Sequence, residues 1–302
     1  MLRSTVLALA LFGVVAMSAA EPAPDAYAQS LDRWRQERLQ KLTAPDGWLS
    51  LVGLAWLARG ANTIGSAADN AIVVAGAPAR LGVITFDDDG TVRIALAPGS
   101  DARVDGKEVL HATLVDDVQA GAGTPTQVSF GTTSLYVIDR EGRKGLRIKD
   151  PQSPTRTGFL GIDSFPVDPS WRIDARWVPA APGRTLEMGT VIGTTEKYPV
   201  PGTVEFSRDG HTFALLPVIE VPGDEQYFIV FADRTSGKET YGAARFLYID
   251  PPRDGSVVID FNRAYNPPCA FTAFATCPLA PPENRLDLRV TAGERNYRGA
   301  AH

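Results

Sequence analysis

Residues 260–284 place both cysteines of the chain, Cys269 and Cys277, among five prolines, three asparagines and Arg263. Proline fixes φ and removes a backbone donor, so this run can be neither a helix nor a central strand. A long irregular segment of bulky, polar and cross-linkable residues is more often a binding surface than a spacer. The two cysteines, with seven residues between them, are expected to close one disulfide in an exported chain. That loop would stabilise the fold by roughly 2–3 kcal/mol in the chain-entropy model. The alternative is a reactive thiol, although no neighbouring His or base in sequence activates either sulfur. A metal site is not expected: the chain has three histidines, none at ligand spacing to a cysteine. No cofactor motif is present.

A second group of residues recurs at strand ends. Arg147, Lys149, Arg245, Asn262, Arg263, Tyr265 and Asn266 are the candidate ligand-binding set. Arginine suits a carboxylate or phosphate because its planar fork binds such groups bidentately, and Tyr265, Phe271 and Phe274 could stack on an attached ring. The partner expected on this reading is a small anionic molecule. The bland alternative is that these cations pair with Asp150, Asp174, Asp233, Glu239 and Asp260 on a solvated face. A hydrolase of a small ester or phosphate would use Asp260 or Glu239 as general base and Arg263 or Arg245 against developing charge. A cell-envelope interaction module, with the Pro-rich segment as its surface, is the third reading. There is no Gly-x-Ser-x-Gly elbow and no His-Glu-x-x-His helix. Ser236-Gly237-Lys238 lacks the rest of a phosphate loop and falls in a hairpin.

The elements that must position these residues are mostly short strands. A helix is expected over 28–43, with Leu31, Trp34, Leu39 and Leu42 on one stripe, Ser30 or Asp32 as its cap, and Pro45-Asp46-Gly47 as its stop. The stripe is expected to dock on the sheet that follows. Residues 48–118 read as a small β-sandwich, with turns at Asp87-Asp-Asp-Gly90 and Asp105-Gly106. Residues 119–126 read as a seam. Residues 127–298 read as an antiparallel meander closing into a barrel or curved sheet, beginning with a hairpin around residues 141–145. On its second strand Arg147 and Lys149 share one face, with Leu146, Ile148 and Tyr136 expected on the other. The fold class is mainly β, and residues 208–211 (Arg-Asp-Gly-His) form a strong hairpin turn.

The first twenty residues read as a secretory leader, with Arg3, an apolar run over 6–17 and a small-residue cleavage site ending at Ala20. The run is shorter than the roughly 20 residues that span a bilayer, so no membrane insertion is expected after cleavage. The location expected is periplasmic or secreted. With 30 basic and 35 acidic residues the net charge is −5, and loss of Arg3 makes it −6. That mild acidity argues against nucleic acid as a partner.

Three motifs carry a resemblance: residues 260–284, Thr235-Ser-Gly-Lys-Glu-Thr-Tyr-Gly-Ala-Ala-Arg-Phe-Leu247, and Asp46-Gly-Trp-Leu-Ser-Leu-Val-Gly-Leu54. Together they resemble the domain-of-unknown-function family DUF1684, from about Trp34 to Tyr297. Leu279-Ala280-Pro281 departs from it by lacking a middle Pro. The resemblance implies no reaction, cofactor or catalytic residue. Residues 61–66, 70–74 and 104–107 follow the outline of a forkhead-associated domain, yet Ser66 stands where that family has Arg. The Ser-x-x-His segment is also missing, so this outline implies a sandwich shape and no ligand.

Overall fold

The computed structural model describes residues 24–299; the expected leader over 1–20 lies outside the described residues. The first half is a β-sandwich. One sheet holds β1 (Leu51–Trp56), β6 (Arg103–Val104), β8 (Val128–Phe130), β9 (Thr133–Arg140) and β10 (Arg143–Lys149), in the order β1-β10-β9-β8-β6. The other holds β2 (Gly60–Gly65), β3 (Ile72–Val73), β4 (Gly82–Phe86), β5 (Val92–Leu96) and β7 (His111–Thr113), in the order β3-β2-β4-β5-β7. Leu135, Val137, Leu146 and Ile148 from the first sheet and Ile64, Ile84, Ile94 and Phe86 from the second share one core. Such alternation of inward apolar residues is what two packed sheets require.

This corrects the expected division. The seam over 119–126 does not separate the cores, because the β9–β10 hairpin beyond it pairs with β1 through residues such as Leu54 and Arg147. The sandwich therefore runs to Lys149. The hairpin is also tighter than expected: Glu141 (φ 54°) and Gly142 (φ 81°) make a two-residue turn in the left-handed region, the geometry that matches strand twist. Asp209-Gly210 (φ 50° and 77°) does the same at the turn expected there.

The second half builds two more layers. β11 (Arg172–Pro179), β14 (Gly202–Arg208), β15 (His211–Leu215) and β18 (Ser256–Asp260) form a sheet ordered β15-β14-β11-β18. β12 (Thr185–Gly189) pairs with β13 (Thr195–Pro199), and β16 (Tyr227–Phe231) with β17 (Arg245–Ile249). The β16–β17 ribbon is covered on both sides. Ile229, Phe231, Leu247 and Ile249 pack on the four-stranded sheet, whereas Phe228, Val230 and Phe246 meet Leu186, Met188, Ala275 and Cys277. Burial on both faces explains why Tyr-Phe-Ile-Val-Phe is an unbroken apolar run rather than an alternating one. Among the described residues no sheet closes into a barrel. The barrel alternative fails because the meander splits into stacked sheets, each using the next layer to cover its face.

The helix α1 spans Pro24–Thr43, four residues earlier than expected. Proline suits a first helical turn, where its missing N–H would have no partner, and the buried Tyr27 gives that turn a tertiary anchor. Ser30 and Asp32 lie inside the helix rather than capping it. Leu31 and Leu42 are buried as the stripe requires, but Leu39 is 40% exposed. The helix docks not on the following sheet but on the C-terminal segment. The Tyr27 hydroxyl donates to Asp260 at 2.9 Å, and Arg38 donates to the Asn266 carbonyl at 2.7 Å and to Glu294 at 3.0 Å. No helix among the described residues is long and apolar enough to cross a membrane.

Candidate functional site

The expected ligand-binding set does not gather around one hollow. Arg245 is fully buried; it donates to the Ala292 carbonyl at 2.5 Å and the Val290 carbonyl at 3.1 Å, and pairs with Asp233 at 3.3 Å. Asp233 in turn accepts from the Val290 N–H at 2.7 Å. The pair clasps residues 290–292 onto β17, a structural role. Burial pulls the Arg245 guanidinium below its ordinary range, and Asp233 opposes that. Asn262 is also fixed, donating to the Tyr27 hydroxyl at 3.0 Å and the Asp168 carbonyl at 2.9 Å. Asn266 donates to the Arg295 carbonyl at 2.7 Å.

The two candidate bases are occupied as well. Asp260 accepts from Tyr27 through both carboxylate oxygens, caps the turn at Asn262, and lies 3.5 Å from Arg263. Glu239 makes a forked pair with Arg289 at 2.8 Å on an exposed face. The Pro-rich segment turns largely inward, with Phe271, Ala275, Cys277, Ala280 and Asn284 buried, which leaves little of it as a partner surface.

Arg147 and Lys149 sit at a different place, on β10. Leu146 and Ile148 do point into the sandwich core. Tyr136, however, is directly opposite Arg147 in the β9–β10 ladder, and opposed residues share a face. Its ring therefore lies under Arg147 and Lys149, at 6.0 and 5.5 Å, and not on the other side. Lys149 donates to the Asp46 carbonyl at 2.6 Å.

Arg263 and Tyr265 do open onto solvent, in a cleft of about 1020 Å³ between α1 and the loops at 220–226 and 250–253. Its floor is aromatic. Tyr265 stacks beside Tyr248 (centroids 6.4 Å apart, planes 14° apart) and meets Trp34 at 6.3 Å. The Arg38 guanidinium lies 4.5 Å above the Tyr265 ring, held there by its bonds to Asn266 and Glu294. The Tyr248 hydroxyl donates to Glu220. Glu220 is open to the cleft, yet protein surrounds it on most sides. That desolvation raises its carboxyl above the usual range, opposed by the Tyr248 hydrogen bond and assisted by Asp224 and Glu196. Burial, then Tyr265 and Glu220, push the Tyr248 hydroxyl up in the same way.

Four cations, Arg38, Lys41, Arg253 and Arg263, line this cleft with five carboxylates, Glu37, Glu220, Asp224, Glu225 and Asp250. Such a surface can stack on a ring and both donate and accept hydrogen bonds around it. Trp34, Arg38, Glu220 and Tyr248 were not singled out by the sequence. Trp34 and Arg38 read as parts of an ordinary amphipathic helix. Tyr248 is the one exposed position of a strand otherwise buried, which the residue types of that strand did not reveal.

A mainly β scaffold with an aromatic cleft against its N-terminal helix has a family. Residues 157–295 match the model described as "Protein of unknown function (DUF1684)", and the chain belongs to that family. The match covers the second half and omits the motif at 46–54, so it is narrower than the resemblance implied. A similar solved structure is the solution NMR structure of the uncharacterized protein from gene locus rrnAC0354 of Haloarcula marismortui. It is 31% identical, with 48% of this chain and 83% of that chain covered and a TM-score of 0.40. No curated protein matches.

Proposed function

We propose that this is an exported binding protein whose cleft takes a small, polar, saccharide-like ring. The observation that carries this reading is the fixed Arg38–Tyr265 platform beside the Tyr248–Glu220 pair. Aromatic faces stack on the C–H faces of such rings, while guanidinium and carboxylate groups bond their hydroxyls. The anionic ligand is narrowed accordingly. The lining sets four cations against five carboxylates, a near balance, so the ligand bears at most one anionic group, met by Arg263 or Arg253. Export follows from the leader reading of residues 1–20. In the oxidising compartment that implies, Cys269 and Cys277 close a disulfide.

The test is thermal unfolding with glucose, N-acetylglucosamine, galacturonate and glucose 6-phosphate, since a ligand that binds only the folded state raises Tm with concentration. At least one should give a saturable rise that Tyr265→Ala abolishes while folding is retained. No rise with any of them would contradict the proposal.

A second reading is hydrolysis, favoured by the raised Glu220 carboxyl, because a carboxyl kept protonated can serve as a general acid. Asp260 and Glu239 are replaced by Glu220 in that role. Turnover of nitrophenyl glycosides, lost on Glu220→Gln, would support it; no turnover would leave binding alone.

A further inference from the structure

Arg147 is 4% exposed, and its Nε is buried without a hydrogen-bond partner. Its remaining contacts are long: the Tyr136 hydroxyl and the Thr276 hydroxyl, each at 3.4 Å, with the Trp48 ring 5.1 Å away. Among the described residues no carboxylate pairs with it. A guanidinium removed from water needs an anion, and leaving it uncompensated is costly.

The candidates for that anion are two sulfurs. Thr276, which Arg147 touches, directly precedes Cys277. The Cys269 N–H donates to the Cys277 Sγ at 3.3 Å, and both residues are free thiols in this structure. Cys269 is half-buried and Cys277 buried, so Cys269 is the more accessible of the two residues. A hydrogen bond from Cys277 pulls the Cys269 thiol down, burial opposes this, and Arg147 adds to the fall. Cys277 moves up, chiefly through Cys269 and burial. The other titratable group facing them is Tyr241, pushed up to about 12 by burial and then by both sulfurs.

We propose that Cys269 and Cys277 are a redox-active dithiol, with Cys269 the attacking sulfur and Arg147 the counter-cation of its thiolate. This deepens the disulfide proposed above and is independent of the cleft. The co-reactant is a disulfide, either of low molecular weight or on an oxidoreductase. The Cys269 thiolate attacks one of its sulfurs, forming a mixed disulfide and releasing one thiolate. Cys277 then loses its proton and attacks the Cys269 Sγ, releasing the second thiol. The protein's two thiols are oxidised and the incoming disulfide is reduced to two thiols.

The experiment measures iodoacetamide alkylation of Cys269 against pH in Cys277→Ser, alone and combined with Arg147→Met or Arg147→Lys. An ordinary thiol titrates near ~8.5. Cys269 should react with a lower midpoint, Arg147→Met should slow it about tenfold at neutral pH, and Arg147→Lys should restore it. In a glutathione redox buffer, the otherwise unaltered chain should equilibrate between dithiol and disulfide. Arg147→Met, which destabilises the reduced thiolate, should move that equilibrium about tenfold toward the disulfide. An ordinary midpoint indifferent to Arg147→Met would overturn the proposal. So would failure of oxidised glutathione to form the bond, or a bond that resists dithiothreitol.

Discussion

Arg245 and Arg263 are read alike in sequence, as arginines beside carboxylates, yet the fold puts them to opposite uses. Arg245 has no exposed surface and holds Asp233 and two carbonyls; Arg263 lies on a cleft wall. Sequence could not separate them, because burial depends on the layer that covers β17 from the far side. Removing one partner of a buried pair leaves the other uncompensated, so Asp233→Ala should destabilise the fold by about 3–5 kcal/mol. Urea unfolding measures this, and a loss under 1 kcal/mol would place the pair in contact with water. Glu220 supplies the pH dependence at this scale. Its folded carboxyl titrates above its unfolded value, so the stability it contributes as a neutral group is present below the unfolded value near ~4.3 and lost as pH rises through the raised one. Glu220→Gln, which stays neutral, should therefore gain stability relative to the parent as pH rises through that window. Unfolding curves at a series of pH values would show a difference that widens on alkalinisation; a constant difference would contradict the raised carboxyl.

The helix α1 is the element on which the account turns, since it supplies Trp34, Glu37, Arg38 and Lys41 to the cleft. Its existence was legible from the period of Leu31, Trp34 and Leu42. Its docking site was not, because a stripe states that a face is buried and not against what. The partner is a segment more than 200 residues away, joined through Tyr27 and Asp260. Strand positions were legible from Gly, Asp and Pro spacing. The hairpin at 133–149 was assigned to the wrong sheet, since pairing between β1 and β10 leaves no local trace. Leu31 has no exposed surface, so Leu31→Ala should cost about 2–5 kcal/mol. Because α1 forms a wall of the cleft, the same variant should weaken ligand binding more than Leu135→Ala, a comparable change in the sandwich core, which holds no cleft residue. Equal weakening would mean the helix acts through overall stability alone.

At the scale of the whole molecule, two β units meet where the Cys269–Cys277 segment reaches back to the sandwich. Thr276 accepts from Arg140 at 3.2 Å and contacts Arg147, while Leu42, Leu49 and Phe271 form a small core beneath α1. The C-terminal segment thus touches the helix, the sandwich and the second half at once. Its richness in Pro, Asn and Cys was legible as functional wording. What the sequence concealed was that most of this segment faces inward, while its start, at Arg263 and Tyr265, lines the cleft.

The most direct measurement of the cleft's role is tryptophan emission from the full chain titrated with N-acetylglucosamine, galacturonate and glucose 6-phosphate. Trp34 lies 6.3 Å from Tyr265 in the cleft wall. Binding of one of these sugars should change the emission saturably, and Trp34→Phe should remove the change without removing the thermal stabilisation. Flat emission and an unmoved Tm with all three sugars, in a folded chain, would contradict a ring-binding cleft.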